Sequence, residues 1–170
     1  MYKRLKEKFH RLMAIRYQDI DENKSLEHVK ILVKLDEEWG LHELGYRYDI
    51  GFSVDRDSNK AVFYYKRCFE KQSKTAKFAA ANIGNIYFQG RGLSINLSKA
   101  AKWFRKAAEL GHPESQYYYG YSLIEGWDNP INDETNEEAI LWIKKSAKSG
   151  IPEAVEALEF IEKEKTGRRD

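Results

Sequence analysis

The sequence predicts an all-α fold, a solenoid of stacked antiparallel helix pairs, and three observations support this prediction. Ala61, Ala100 and Ala139 are spaced evenly by 39 residues, and Gly111 and Gly150 repeat that interval. A fixed period of this length is typical of a chain that stacks copies of one two-helix unit. Apolar residues recur at helical spacing between these anchors, and only 3 of the 170 residues are proline, which suits helices.

A glycine precedes each of the three alanines at a similar distance. Two of the intervals are 16 residues long and the third is 19, from Gly45 to Ala61, Gly84 to Ala100 and Gly120 to Ala139. Only glycine lets two helices of a hairpin approach very closely. We therefore predict that each glycine lies at a helix crossing and that the alanine is its partner there.

The N-terminal residues 1–38 carry no clear repeat, and we predict a degenerate capping pair of helices at about 3–17 and 25–38. Ser25 is the expected N-cap of the second helix. The basic residues of the first helix suggest a solvated face, with contact to a membrane or an acidic partner as the alternative. Its apolar face, which we expect to cover the first repeat, consists of Tyr2, Leu5, Phe9, Leu12, Met13 and Tyr17.

Three repeats follow in residues 39–151, and they make one continuous array with the two ends. The clearest unit spans 76–112, where Gly90 and Gly92 stop the first helix and an alanine-rich second helix begins near Ser98. The third repeat has a loop that is three residues longer, at Trp127–Pro130. Residues 152–170 are predicted to form a C-terminal capping helix, about 152–164, with a frayed tail at 166–170.

Composition narrows the function classes. The chain has 29 basic and 27 acidic residues, a net charge of +2, which argues against a nucleic-acid-binding protein. Cys68 is the single cysteine, so an intramolecular disulfide is impossible. No apolar run has the length of a signal peptide or a membrane span, and we expect a cytoplasmic protein.

We expect neither catalysis nor a bound cofactor or metal. The four histidines show no metal spacing, and no nucleophile or phosphate-loop motif is present. The segment that begins at Asp19 looks like the opening of an EF-hand, but Lys24 and Lys30 stand where that loop needs glycine and glutamate. Cys68 aligns with Ala107 and Ser146 and is interpreted as a small packing residue.

The repeat resembles a known family. The pattern Leu/Ile-Gly-x-x-Tyr-x-x-Gly-x-Gly, followed by Lys-Ala-x-x-Trp-Phe-x-Lys-Ala-Ala-x-x-Gly-His-Pro, is similar to the Sel-one-like repeat, a relative of the tetratricopeptide repeat. The match is close in 76–112, good in 113–151 and degraded in 39–75. The resemblance implies a right-handed α-solenoid and a role as an adaptor or scaffold, and some bacterial members act in secretion, signalling or toxin neutralisation.

The resemblance also implies where a partner would bind. In tetratricopeptide-type hairpins the first helix of each unit lines a concave groove, at positions six and three before the crossing glycine and one, four and five after it. These positions are rich in aromatic residues, which are enriched at binding hot spots. With the long loop added, the predicted partner-binding residues are Trp39, His42, Tyr46, Phe78, Asn85, Phe88, Gln89, Tyr117, Tyr121, Glu125 and Trp127.

The sequence therefore favours a non-catalytic module that binds a peptide or a folded protein, with a bacterial immunity, inhibitor or adaptor role by analogy. An alternative is that the groove rings only pack against neighbouring units. Two other functions stay open. One is an enzyme or ligand-binding protein that uses Cys68 or the region of His42. The other is a scaffold that self-associates through an exposed end of the array.

Overall fold

A computed structural model describes residues 2–167, except for the side chains of residues 165 and 166. In this range the chain forms nine α-helices and no strand. Residues 168–170 of the predicted frayed tail lie outside the described residues, whereas residue 166 is still helical. The helices are α1 (Tyr2–Tyr17), α2 (Glu22–Lys34), α3 (Glu38–Ile50), α4 (Ser58–Phe69), α5 (Ala76–Gln89), α6 (Leu97–Glu109), α7 (Pro113–Ile124), α8 (Asp133–Lys148) and α9 (Pro152–Thr166).

Each helix packs mainly against the helix before it and the helix after it. The apolar core is divided accordingly. One buried cluster lies around Tyr65 and Ile83, a second around Phe104 and Leu123, and a third around Val29. Contacts between neighbours along the chain are the defining property of a helical solenoid, and the predicted all-α repeat fold is confirmed.

The crossing glycines are correctly predicted, but at Gly45 and Gly84 the nearest neighbour is an aromatic ring and not the predicted alanine. A Cβ atom on Gly84 would lie 2.7 Å from ring carbons of Phe104, and one on Gly45 would lie 2.8 Å from the ring of Tyr65. At Gly120 the alanine is itself among the nearest neighbours, through the carbonyl oxygen of Ala139 at 2.9 Å. In the first two repeats this ring stands four residues after the alanine, and it occupies the space that the missing side chain of the glycine leaves.

The second helix begins and ends earlier than the predicted 25–38. Asp21 is its N-cap and accepts a hydrogen bond from the amide of Lys24. The chain turns at Asp36, whose φ is 57°, and α3 begins at Glu38. Ser25 is therefore not a cap: it is fully buried, and its hydroxyl donates to the carbonyl oxygen of Ala14 at 2.8 Å.

The first helix presents to solvent most of the apolar face that we expected to be covered. Tyr2, Leu5, Phe9 and Leu12 are each more than half exposed. The opposite face packs inward through Ala14, which is only 1% exposed. Two polar contacts also join α1 to the residues that follow it. Arg11 pairs with Glu37, and the Nδ1 atoms of His10 and His28 lie 2.8 Å apart.

The longer third interval extends a helix as well as a loop. Asn132 caps α8, and its side chain and that of Thr135 form a reciprocal capping box. Thr135 stands 39 residues after Asn96, the cap of α6. The three additional residues therefore place the start of α8 about one turn earlier than the repeat requires.

Candidate functional site

The first helices of the repeats, α3, α5 and α7, carry most of the predicted partner-binding residues. Tyr46 and Phe78 keep 42% and 46% of their surface exposed, and Tyr121 keeps 36%. Gln89 and Glu125 are also exposed. The remaining residues of the set are half-buried: Trp39, His42, Asn85, Phe88, Tyr117 and Trp127.

The structure brings four of these residues together in one ring cluster, formed by Phe88, Tyr117, Tyr121 and Trp127. The rings of Phe88 and Trp127 stack with centroids 5.3 Å apart, and Trp127 meets Tyr121 edge-on at 5.7 Å and 90°. Tyr117 and Tyr121 stack at 6.2 Å and 17°. Sequence reasoning placed these residues in different repeats, and the fold makes them one surface.

The ring cluster rests on the apolar core. Tyr118 lies between Phe88, at 5.5 Å, and the buried Phe104, at 5.0 Å. Phe88 and Trp127 are thus partly used for packing, whereas Tyr121 lies at the outer edge. An aromatic surface that is rigid on its inner side loses little conformational entropy when a partner binds to it.

Asp128, the next residue in the Trp127–Pro130 loop, fixes the position of Trp127 in the ring cluster. The carboxylate of Asp128 accepts a hydrogen bond from the hydroxyl of Ser98 at 2.5 Å and lies 3.2 Å from the Nζ of Lys102. Both partners belong to α6, so the loop is tied to the preceding repeat.

The predicted residues nearer the N-terminus do not join the ring cluster. The guanidinium of Arg11 lies 5.8 Å from the ring centre of Trp39. His42 contacts the ring of Tyr65 at 5.4 Å, and its Nε2 lies 3.3 Å from the amide nitrogen of Asn82. Burial lowers the pKa of His42 to about 4, so this imidazole is neutral at pH 7.

Sequence reasoning missed the residues of α9. Pro152 and Ala154 stand 39 residues after Pro113 and Ser115, and Ala154 and Ser115 are both buried, so α9 keeps the register of a first helix. Adding 39 residues to the groove positions of the third repeat identifies the residues of α9. The residues at those positions are Glu153, Glu156 and Phe160, which is 66% exposed.

The two glutamates act on the ring cluster electrostatically. The pKa of Tyr117 is raised first by burial, then by Tyr118 and Tyr121, and then by the carboxylates of Glu153 and Glu156. Negative charge opposes ionisation of a phenol. The two carboxylates therefore add negative charge to the surroundings of Tyr117.

A cleft of about 460 Å³ lies beside the same loop, where it meets α6. Four of its five charged residues pair with one another, and the fifth, Lys106, lies 4.1 Å from the ring centre of Trp103. The Nε of Arg105 lies 2.9 Å from Glu109, and Lys102 pairs with Asp128. Because these charges are satisfied within the chain, the ring cluster is the stronger candidate site.

Cys68 lacks the properties of a nucleophile. Its side chain is completely buried, and burial raises the pKa of the thiol to about 12, so the reactive thiolate is scarce near neutral pH. Among residues 2–167, no group of three or more histidine, cysteine or acidic side chains is arranged to hold a metal ion. In the same range, no helix is both long and apolar enough to cross a membrane.

Comparison with known proteins decides the family. The model of the Sel1 repeat matches residues 40–69, 77–112 and 113–151, which is more than half of the chain. The chain belongs to the Sel1 repeat family. The Sel-one-like resemblance is therefore confirmed, and Sel1-like repeat proteins generally mediate protein–protein interactions as non-catalytic scaffolds.

Solved structures agree with this Sel1 fold. A Sel1 repeat protein from Oxalobacter formigenes matches with a TM-score of 0.67 and 24% identity, over 80% of this chain and 98% of that one. A protective antigen of uropathogenic Escherichia coli, which displays an SLR fold, matches at 0.77 and 23%, over 89% of this chain and 32% of that one. The cysteine-rich protein B of Helicobacter pylori matches at 0.58 and 19%, over 84% and 99%.

Proposed function

We propose that this Sel1 repeat protein is a non-catalytic interaction module that binds a peptide or a folded partner protein along the groove of its first helices, with the ring cluster as the main contact. The observation that carries the proposal is the exposure of Tyr46, Phe78 and Tyr121 on three successive repeats. Large exposed aromatic side chains are typical of binding surfaces.

The arrangement of the second helices supports the choice of this surface. The rings of Trp103 and Trp142 lie on α6 and α8, where they pack against the core clusters. Of the predicted partner-binding rings, Trp39, Phe88 and Trp127 also pack against core clusters, whereas Tyr46 has no ring contact among the described residues. A bacterial immunity, inhibitor or adaptor role is the narrower form of the proposal, and it is based on analogy within the family.

Capture of partners from the source cell, followed by mass spectrometry, tests the groove. We expect the triple variant Tyr46→Ala, Phe88→Ala and Tyr121→Ala to lose the partner that the unmodified protein captures. Truncating one aromatic hot-spot residue costs about 2 kcal/mol or more, which is roughly thirtyfold in affinity.

The control changes two apolar residues on second helices that are at least as exposed as the groove residues. Phe63 on α4 is 55% exposed and Leu141 on α8 is 60% exposed, and we expect Phe63→Ala with Leu141→Ala to retain the partner. Equal capture by both sets of variants would contradict the groove as the binding surface. Light scattering of the same proteins distinguishes self-association, which would increase apparent mass with concentration.

A further inference from the structure

Three carboxylates without an ion pair lie on the helices α7 and α9, beside Tyr121 and Tyr117 of the ring cluster. Glu125 lies at the end of α7, one turn after Tyr121, and Glu153 and Glu156 lie in the first turns of α9. All three are exposed, and no cation of the described residues pairs with them. Elsewhere Glu37 and Glu43 pair with arginines of the chain.

The rings themselves are also without a cation. Three of the four tryptophans have a basic side chain within 6 Å of the ring centre: Arg11 beside Trp39, Lys106 at 4.1 Å from Trp103 and Lys145 at 3.9 Å from Trp142. Among the described residues, no such cation accompanies Trp127, Tyr117 or Tyr121.

The geometry of these rings suits a cation from another molecule. Tyr117 and Tyr121 present nearly parallel rings, and Trp127 stands perpendicular to Tyr121, so the three rings make a corner. The faces of aromatic rings, with carboxylates nearby, are the surroundings in which proteins bind ammonium and guanidinium groups. Carboxylates also attract a cation over a longer range than the rings do.

We propose that this corner binds an arginine or lysine side chain of the partner protein, held against Tyr117, Tyr121 and Trp127 and neutralised by Glu125, Glu153 and Glu156. The inference rests on the proposed function, since it names the chemistry of the residue that the groove selects. Arginine is favoured, because its planar guanidinium stacks on rings and donates to two carboxylate oxygens at once.

The opposite end of the groove indicates the orientation of the partner. There Trp39 has Arg11 as its own cation, and the Nζ of Lys77 lies 5.2 Å from the ring centre of Phe78. A second cation would be repelled at that end. A bound segment therefore places apolar residues near Tyr46 and Phe78 and its basic residue near α9.

A small probe tests the corner without knowledge of the partner. The protein is labelled with fluorotryptophan, which gives four resonances, and the Trp127 resonance is assigned with Trp127→Phe. N-acetyl-arginine amide is then titrated against its neutral isostere, N-acetyl-citrulline amide. We expect a saturable shift of the Trp127 resonance with the arginine probe and binding of the citrulline probe that is about tenfold weaker or more.

Two double variants that remove the same amount of negative charge distinguish a specific role of the carboxylates on α9 from a general effect of net charge. We expect Glu153→Gln with Glu156→Gln to weaken the arginine probe by about threefold or more, and Tyr121→Ala to abolish its binding. The control is Glu134→Gln with Glu137→Gln, two exposed residues on α8, which should leave the affinity unchanged. Circular dichroism confirms that each variant is folded.

Each outcome decides between the two claims. A flat titration with the arginine probe, equal binding of the citrulline probe, or equal effects of the two glutamine pairs overturns the inference. If the groove variants still lose the captured partner, the proposed function stands without it. If the arginine probe binds as expected while the triple groove variant keeps its partner, the corner exists and the proposed function is wrong.

Discussion

Gly84 is a residue at which a very small change should disturb the array. A Cβ atom there would lie 2.7 Å from two ring carbons of Phe104, a side chain that is itself 1% exposed and has no room to move. We expect Gly84→Ala to lower the free energy of unfolding by about 1–3 kcal/mol, the usual cost of overpacking. Urea denaturation of the variant and the unmodified protein measures the difference.

A second substitution controls for helix propensity, since alanine is the better helix former. Phe104→Leu should destabilise the unmodified protein by leaving a void, yet cost less in the Gly84→Ala background, where the new methyl group occupies part of that space. Additive effects of the two changes would contradict the close contact between Gly84 and the ring.

His42 gives the chain a dependence of stability on pH. Burial lowers its pKa from 6.5 to about 4 in the folded state, so the unfolded chain takes up a proton first as the pH falls. Stability is therefore full above pH 6.5 and is lost as the pH falls towards 4, by about 2 kcal/mol between pH 7 and pH 5. Urea denaturation at the two pH values measures this loss.

His42→Gln isolates the effect of this residue. Burial also lowers the pKa of His112, and chiefly burial lowers that of His10, so some loss at low pH should remain in the variant. We expect the change between pH 7 and pH 5 to shrink by about the 2 kcal/mol assigned to His42. An unchanged pH dependence would mean that water reaches this imidazole in the folded protein.

At the scale of the element, α1 shows how far hydrophobic periodicity determines a helix face. Periodicity correctly predicts the helix at about 3–17, but the face with the larger apolar side chains is not the face that packs. Ala14 and Ser25 are small, and their contact lets α1 and α2 approach closely. Hydrophobic periodicity identifies the face with the larger apolar side chains. It does not show whether the surfaces of two helices fit closely together.

The exposed face of α1 leads to a test of this arrangement. We expect Leu5→Gln with Phe9→Gln to change the melting temperature by no more than about 2 °C, because side chains that are 60% and 52% exposed contribute little to the core. Calorimetry gives the melting temperatures. A fall of the size seen for core substitutions would mean that these side chains are covered in solution.

At the scale of the whole molecule, the 39-residue period predicts the repeats and the crossing glycines. Both depend on contacts between the two helices of one unit, so the same residue types recur in every unit. The ring cluster could be predicted only as a set of groove positions, since the stacking of Phe88 on Trp127 joins residues of different units. The groove positions of α9 were missed because a terminal helix was interpreted as a cap. The division into residues 1–38, 39–151 and 152–170 stays a prediction.

Because each helix packs mainly against the helices before and after it, damage at one end of the array should stay local. Stability in such arrays is approximately a sum of the terms for each unit and its interfaces. Ala14→Leu overpacks the contact between α1 and α2, next to Leu26, Val29 and Leu44. We expect faster amide exchange in α1, α2 and the start of α3, with unchanged protection in α6, α7 and α8.

Hydrogen exchange with mass spectrometry, read peptide by peptide, measures this distribution. Gly84→Ala is the matched comparison, because it lies in the central repeat and should weaken protection on both sides, in α4 to α7. If Ala14→Leu reduced protection evenly along the chain, the array would unfold as one cooperative unit. The ring cluster would then be sensitive to changes at the far N-terminal end, whereas a local response leaves partner binding at Tyr121 intact when α1 is disturbed.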